Sequence, residues 1–146
     1  MPIYEKRSVI DIDPATLFRW HTRPGAFERL SPPWQHLRVL ARHGGISDGA
    51  RVTLVLRHGP LSLRWEALHR GFVDGVQFQD VQVSGPFKKW EHTHKVEPTG
   101  DGRAMLVDRV DYALPLGPLG RLGTMFLGPM MERLFAFRHR RIATDL

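Results

Sequence analysis

Phe78-Gln79-Asp80-Val81-Gln82-Val83-Ser84-Gly85-Pro86-Phe87-Lys88-Lys89-Trp90-Glu91-His92-Thr93-His94-Lys95-Val96 is the stretch from which the fold can be read. Side chains alternate between the faces of a strand, so Trp90, His92, His94 and Val96 share one face and Glu91, Thr93 and Lys95 the other. Charged groups belong on the wet side, which turns a tryptophan and two histidines toward the inside of a sheet. Buried imidazoles need partners, so this face is either a satisfied polar core or the lining of a pocket. Gly85-Pro86-Phe87 reads as a three-residue loop, which pairs Gln82 with Trp90, Asp80 with His92 and Phe78 with His94. A two-residue loop would reverse every face.

Working outward, alternating segments separated by glycine and proline predict strands over residues 3–12, 35–42, 50–58, 61–73, 76–84, 88–97 and 103–114. Asp13-Pro14 is a cap followed by a first-turn proline, and helices are expected over 14–21 and 24–30, stopped by Ser31-Pro32-Pro33. Trp20, Phe27 and Trp34 are expected to pack this helical pair against one end of the sheet. Leu61, Leu63, Trp65 and Ala67 form an alternate apolar set that reads as core. After Gly117-Pro118, Leu122, Phe126, Met130, Leu134 and Phe137 recur at helical spacing, predicting one long closing helix. Proline inside a helix removes a backbone bond and clashes with the preceding turn. The main helix is therefore expected to begin near Pro129, with 118–127 as a looser lip. The fold class is α+β, a seven-stranded curved antiparallel sheet wrapped around the C-terminal helix, in a single domain spanning 1–146.

The chain has 146 residues, 42% hydrophobic and 25% charged, and no cysteine. That composition fits one soluble core, and it excludes disulfides, thiolate catalysis and zinc–thiolate sites. No apolar run reaches the ~18 residues of a membrane span. The first residues lead into a strand without the features of a secretory signal, so a cytoplasmic location is expected. The net charge of +6 is spread along the chain, and its one basic cluster, Arg138-His139-Arg140-Arg141, falls at a helix C-terminus, where cations oppose the dipole. Nucleic acid is not an expected partner.

This order of elements resembles the helix-grip fold of the SRPBCC superfamily, which includes START-type lipid carriers, Bet v 1-like proteins and polyketide cyclases. Trp20-His21-Thr22-Arg23-Pro24-Gly25-Ala26-Phe27-Glu28-Arg29-Leu30, Pro32-Pro33-Trp34, Gly85-Pro86-Phe87 with Trp90, His92 and His94, and Phe135-Ala136-Phe137-Arg138-His139 resemble the bacterial branch found beside sugar-nucleotide epimerase-like domains. The resemblance implies a cavity between sheet and helix and an epimerase-like protein as partner. It assigns no catalytic residue.

The candidate site therefore comes from the residues. A loop at 97–103 would set Val96 opposite Ala104, His94 opposite Leu106, His92 opposite Asp108 and Trp90 opposite Val110. Asp80, His92 and Asp108 would then stand in a row, spaced for an imidazole to bridge two carboxylates. Phe78, Trp90, Leu106, Val110, Tyr112, Phe126, Met130 and Leu134 are expected to give a small hydrophobic or amphipathic ligand its apolar contacts. Asp80, Gln82, His92, His94 and Asp108 would orient its polar groups. The same cavity would alternatively serve a cofactor-independent cyclase, dehydratase or isomerase, with His92 as general acid/base, Asp80 and Asp108 setting its protonation and Tyr112 polarising a carbonyl. A third reading is a protein-interaction module with a structural cavity. His92-x-His94 has a spacing compatible with two metal ligands. Two satisfied histidines, with no metal and no cofactor, is the reading taken. No Gly-x-Ser-x-Gly or phosphate loop is present.

Overall fold

The computed structural model describes residues 3–58, 60–115 and 118–146, without the side chains of His58, 118–122 and 124–126. The elements run β1 (Ile3–Ile10), α1 (Pro14–His21), α2 (Ala26–Arg29), β2 (His36–His43), β3 (Arg51–His58), β4 (Leu61–Val73), β5 (Gln77–Ser84), β6 (Lys89–Pro98), β7 (Ala104–Ala113) and α3 (Pro118–Asp145). The strands make one antiparallel sheet in the order β1-β7-β6-β5-β4-β3-β2, so the first strand lies beside the last. Short hairpins connect β2 to β7 in sequence. Two shifts of register, at Glu66/Ala67 and at Arg70/Val73, bend the long strand β4.

Asp13 caps α1, its Oδ2 accepting the Thr16 backbone N–H at 3.0 Å, and Pro14 occupies the first turn, where its missing N–H is not needed. The buried face of α1, with Leu17, Phe18 and Trp20, closes one end of the sheet on Ile10, Phe78, Val96, Ala104, Leu106 and Ile142. A second apolar cluster at the other end joins Val110 and Tyr112 of β7 to Met131 and Phe135 of α3, with Tyr4, Phe87, Trp90, Leu127 and Leu134 at its margin. Trp20 packs where expected, and its indole N–H donates to Asp145 near the end of α3. Trp34 does not pack against the sheet. It lies 40% exposed on α3, edge-on to Phe137, with the Arg133 guanidinium 4.2 Å above its ring.

Two expectations need correction. α3 is one helix of 28 residues that runs through Pro129, so no break precedes the main helix there. Leu127 on one side of the proline, and Met131 and Phe135 on the other, pack into the same cluster. That burial holds the turn together against the roughly 3 kcal/mol cost of an interior proline. Leu61 and Leu63 are exposed, at 60% and 37%, because they sit at the free tip of the β3–β4 hairpin. The core begins two residues further on, where Trp65 stands opposite the buried Leu54.

Phe135 has no exposed surface and stacks on Tyr4 at 5.3 Å. Phe135→Ala is expected to lower the free energy of unfolding by about 3–5 kcal/mol, and Met130→Ala to change it by less than about 0.5 kcal/mol, both read by urea denaturation.

Candidate functional site

The β5–β6 ladder has the expected register, with Phe78 opposite His94 and Asp80 opposite His92. The β6–β7 ladder is displaced by two residues from the expected one. Val96 faces Leu106, His94 faces Asp108, His92 faces Val110 and Trp90 faces Tyr112. The cause is a tighter turn. Thr99 N–H donates to Arg103 O at 3.1 Å, Gly100 and Gly102 take φ of 91° and 87°, and pairing continues to Pro98 opposite Ala104. A slip of two preserves every face and changes every partner.

Asp80, His92 and Asp108 therefore do not line up in a row; they interlock diagonally. His92 Nε2 donates to Asp108 Oδ1 at 2.7 Å, and its Nδ1 lies 3.4 Å from Asp80 Oδ2. His94 Nε2 donates to the same Asp80 oxygen at 2.6 Å, and its Nδ1 lies 3.4 Å from Asp108 Oδ1. The imidazoles overlap, with ring centroids 3.7 Å apart, between Phe78 stacked on His94 at 4.2 Å and Phe135 set edge-on to His92 at 5.1 Å. Asp108 Oδ2 accepts from His139 Nε2 of α3 at 2.7 Å, and His139 Nδ1 reaches Ser8 Oγ of β1 at 2.7 Å. A polar belt thus crosses the interior from β5 to β1, between the two apolar clusters.

Burial alone would pull the His92 pKa down, but the carboxylates of Asp80 and Asp108 outweigh it and push it up to about 9. For His94, burial and then the neighbouring His92 charge prevail, and its pKa falls to about 4. Burial would raise both aspartates. Instead, His92 and His94 hold Asp80, and His139 and His92 hold Asp108, well below the usual carboxylate range. At neutral pH, His92 is an imidazolium between two carboxylates, with both ring nitrogens engaged. The donor atoms of Asp80, His92 and His94 lie within 4.8 Å of one another, a set able to hold a metal ion.

The other expected site residues divide between the two ends. Phe78 and Leu106 belong to the closed cluster under α1, away from the apolar group around Trp90. Trp90, Val110, Tyr112 and Leu134 gather at the opposite end. Met130 is 58% exposed and turned outward; Met131, one residue on, is buried. Gln82 closes the β5–β6 loop with both ends of its amide, donating to Phe87 O at 2.6 Å and accepting from Phe87 N at 3.1 Å. The Phe126 side chain lies outside the described ones.

His139, Ser8 and the buried His21 and His69 were not singled out by sequence. His139 carried a readable signal: it continues the buried stripe Met131, Phe135, His139, Ile142, where a histidine must find a partner. Its basic neighbours disguised it as part of a solvated charge cluster.

A curved antiparallel sheet gripping a long C-terminal helix, with two short helices between the first strands, defines a helix-grip fold. The chain belongs to the polyketide cyclase / dehydrase and lipid transport family, whose model matches residues 10–137. Comparison with curated proteins finds no match. Among solved structures, the Zhui aromatase/cyclase from Streptomyces sp. R1128 is similar, with a TM-score of 0.75 at 11% identity over 99% of this chain and 92% of that one. A START superfamily protein from Mycobacterium smegmatis has a TM-score of 0.72 at 17% identity, covering 99% of both chains. A nucleoside-diphosphate sugar epimerase from Corynebacterium glutamicum has 28% identity and a TM-score of 0.69, over 97% of this chain but 28% of that one.

The belt makes stability depend on pH in both directions. The His92 pKa rises on folding from 6.5 to about 9, so its contribution is complete below pH 6.5 and lost as pH rises through about 9. The His94 pKa falls from 6.5 to about 4, so the unfolded chain takes up a proton that the folded ring refuses, and stability drops as pH falls from 6.5 toward about 4. With a chelator present, the urea midpoint is expected to peak between these limbs, and His92→Gln to flatten the alkaline one.

Proposed function

We propose that the protein binds a small hydrophobic or amphipathic molecule at the aromatic end of the grip. The observation that carries this reading is the Trp90 indole, whose buried Nε1 has no hydrogen-bond partner among the described residues. An N–H left unpaired in an apolar setting costs roughly 1–3 kcal/mol, and a carbonyl or hydroxyl of a ligand would relieve that cost. Around it stand the half-buried rings of Trp65 at 5.0 Å edge-on and Phe87 at 4.9 Å, with the buried Tyr112 6.3 Å beyond Phe87. A wall of aromatic faces with one free donor suits a ligand that is apolar over most of its surface and polar at one point. Membership of a family named for polyketide cyclases, dehydrases and lipid transport supports this ligand class.

A cofactor-independent cyclase, dehydratase or isomerase is the second reading. It is favoured by the His92 ring, 6.3 Å behind Trp90, and by Tyr112, whose hydroxyl pKa is raised by burial. His92 has both nitrogens committed to aspartates and presents no free edge to a substrate, which weighs toward binding. A third reading takes an epimerase-like protein as partner and rests on the similarity to one part of the Corynebacterium epimerase.

The test uses 1-anilinonaphthalene-8-sulfonate as an apolar probe with polar acceptors, titrated into the full chain and followed by fluorescence. One saturable site is expected, weakened about tenfold or more in Trp90→Ala and partly restored in Trp90→Phe, which keeps a ring and removes the donor. Equal binding by wild type and Trp90→Ala would overturn the placement.

A further inference from the structure

We infer that Asp80, His92 and His94 form a binding site for a divalent transition-metal ion, with Asp108 as the carboxylate that orients both imidazoles. This inference is independent of the ligand at the aromatic end. Two nitrogens from neighbouring rings, His92 Nδ1 and His94 Nε2, converge on one oxygen, Asp80 Oδ2, at 3.4 Å and 2.6 Å. Ligands held about 2.0–2.1 Å from a tetrahedral ion stand roughly 3.3 Å from one another, so the first separation already fits and the second opens by less than about 1 Å.

The surroundings are those of a prepared site. A ligating histidine needs its far nitrogen held by an acceptor, which sets the tautomer and aims the lone pair at the metal. Here one oxygen serves both rings: Asp108 Oδ1 lies 2.7 Å from His92 Nε2 and 3.4 Å from His94 Nδ1. Its other oxygen is fixed by His139, so α3 and β7 together hold the orienting carboxylate. The rings cannot swing away, being packed between Phe78 and Phe135. Binding releases the His92 Nδ1 proton and moves the His94 proton from Nε2 to Nδ1, facing Asp108, after which two carboxylates bracketing two neutral imidazoles match the charge of a divalent ion.

A second observation points to the same place. His69 stands directly opposite Asp80 across the β4–β5 ladder and is more than nine-tenths buried. Its Nδ1 has no partner among the described residues. An unspent imidazole nitrogen thus neighbours a three-ligand set. Two nitrogens and one carboxylate oxygen without thiolate suit zinc, iron(II), cobalt(II) or nickel(II) rather than magnesium or calcium.

The test titrates Co2+ into chelator-treated, untagged full-length protein and reads visible ligand-field absorption. One saturable equivalent is expected. Asp80→Asn and His94→Gln should each lose about a hundredfold or more in affinity, Asp108→Asn about 10–100-fold, and exposed His43→Gln nothing. No saturable absorption in the wild type, or unchanged affinity in Asp80→Asn and His94→Gln, overturns the site. Should those variants fail to fold, histidine 15N spectra of the wild type with Zn2+ decide. Shifts at His92 Nδ1 and His94 Nε2 support the site, and shifts confined to exposed histidines overturn it.

Discussion

Asp108 brings a carboxylate into the interior, where losing its hydration would cost several kcal/mol unless every lone pair found a donor. His92 from β6 and His139 from α3 each donate to one of its oxygens, and Ser8 of β1 meets the far side of His139. These four residues come from three neighbouring strands and from the helix that the sheet grips. The helix must therefore sit at one height along the sheet, because displacement by a turn would leave a buried charge without its partner. Apolar packing alone is more permissive, since hydrophobic side chains of similar volume can exchange neighbours at modest cost.

The same belt divides the interior into two ends of different character. Below it, α1 seals Phe18, Trp20, Phe78 and Leu106 into a closed core, and Asp145 ties Trp20 and Arg29 to the end of α3. Above it, Trp65, Phe87 and Trp90 remain half-buried beside Tyr112, with Leu127 and Met131 of α3 in the same cluster as Phe87 and Trp90. One end is thus spent on stability, and the other retains the aromatic surface that we propose binds a ligand. Phe78 and Trp90, two residues placed on one lining by their shared face, lie on opposite sides of the polar belt.

The fold was legible because its signals are local. Alternation over 78–96, glycine and proline at each turn, and the Asp13-Pro14 cap all act within a few residues of themselves. The β5–β6 register followed from loop length and from the need to keep Glu91 wet. The β6–β7 register did not, since a slip of two leaves the same residues inside and the hydrophobic pattern is blind to it. Pro129 misled because propensity counts the lost backbone bond, whereas the Leu127, Met131 and Phe135 contacts that outweigh it come from distant strands.

By itself, the sequence determined where the seven strands lie, that a helix closes the chain, and that His92, His94, Asp80 and Asp108 all point inward. These follow from periodicity, charge and turn chemistry along the chain. Only the tertiary structure decided how those four interlock, that His139 and Ser8 complete the belt, and that the Trp90 donor finds no partner among the described residues. Hydrogen bonding acts over about 3 Å, and no spacing along a chain specifies which side chains 31 or 131 residues apart will come that close.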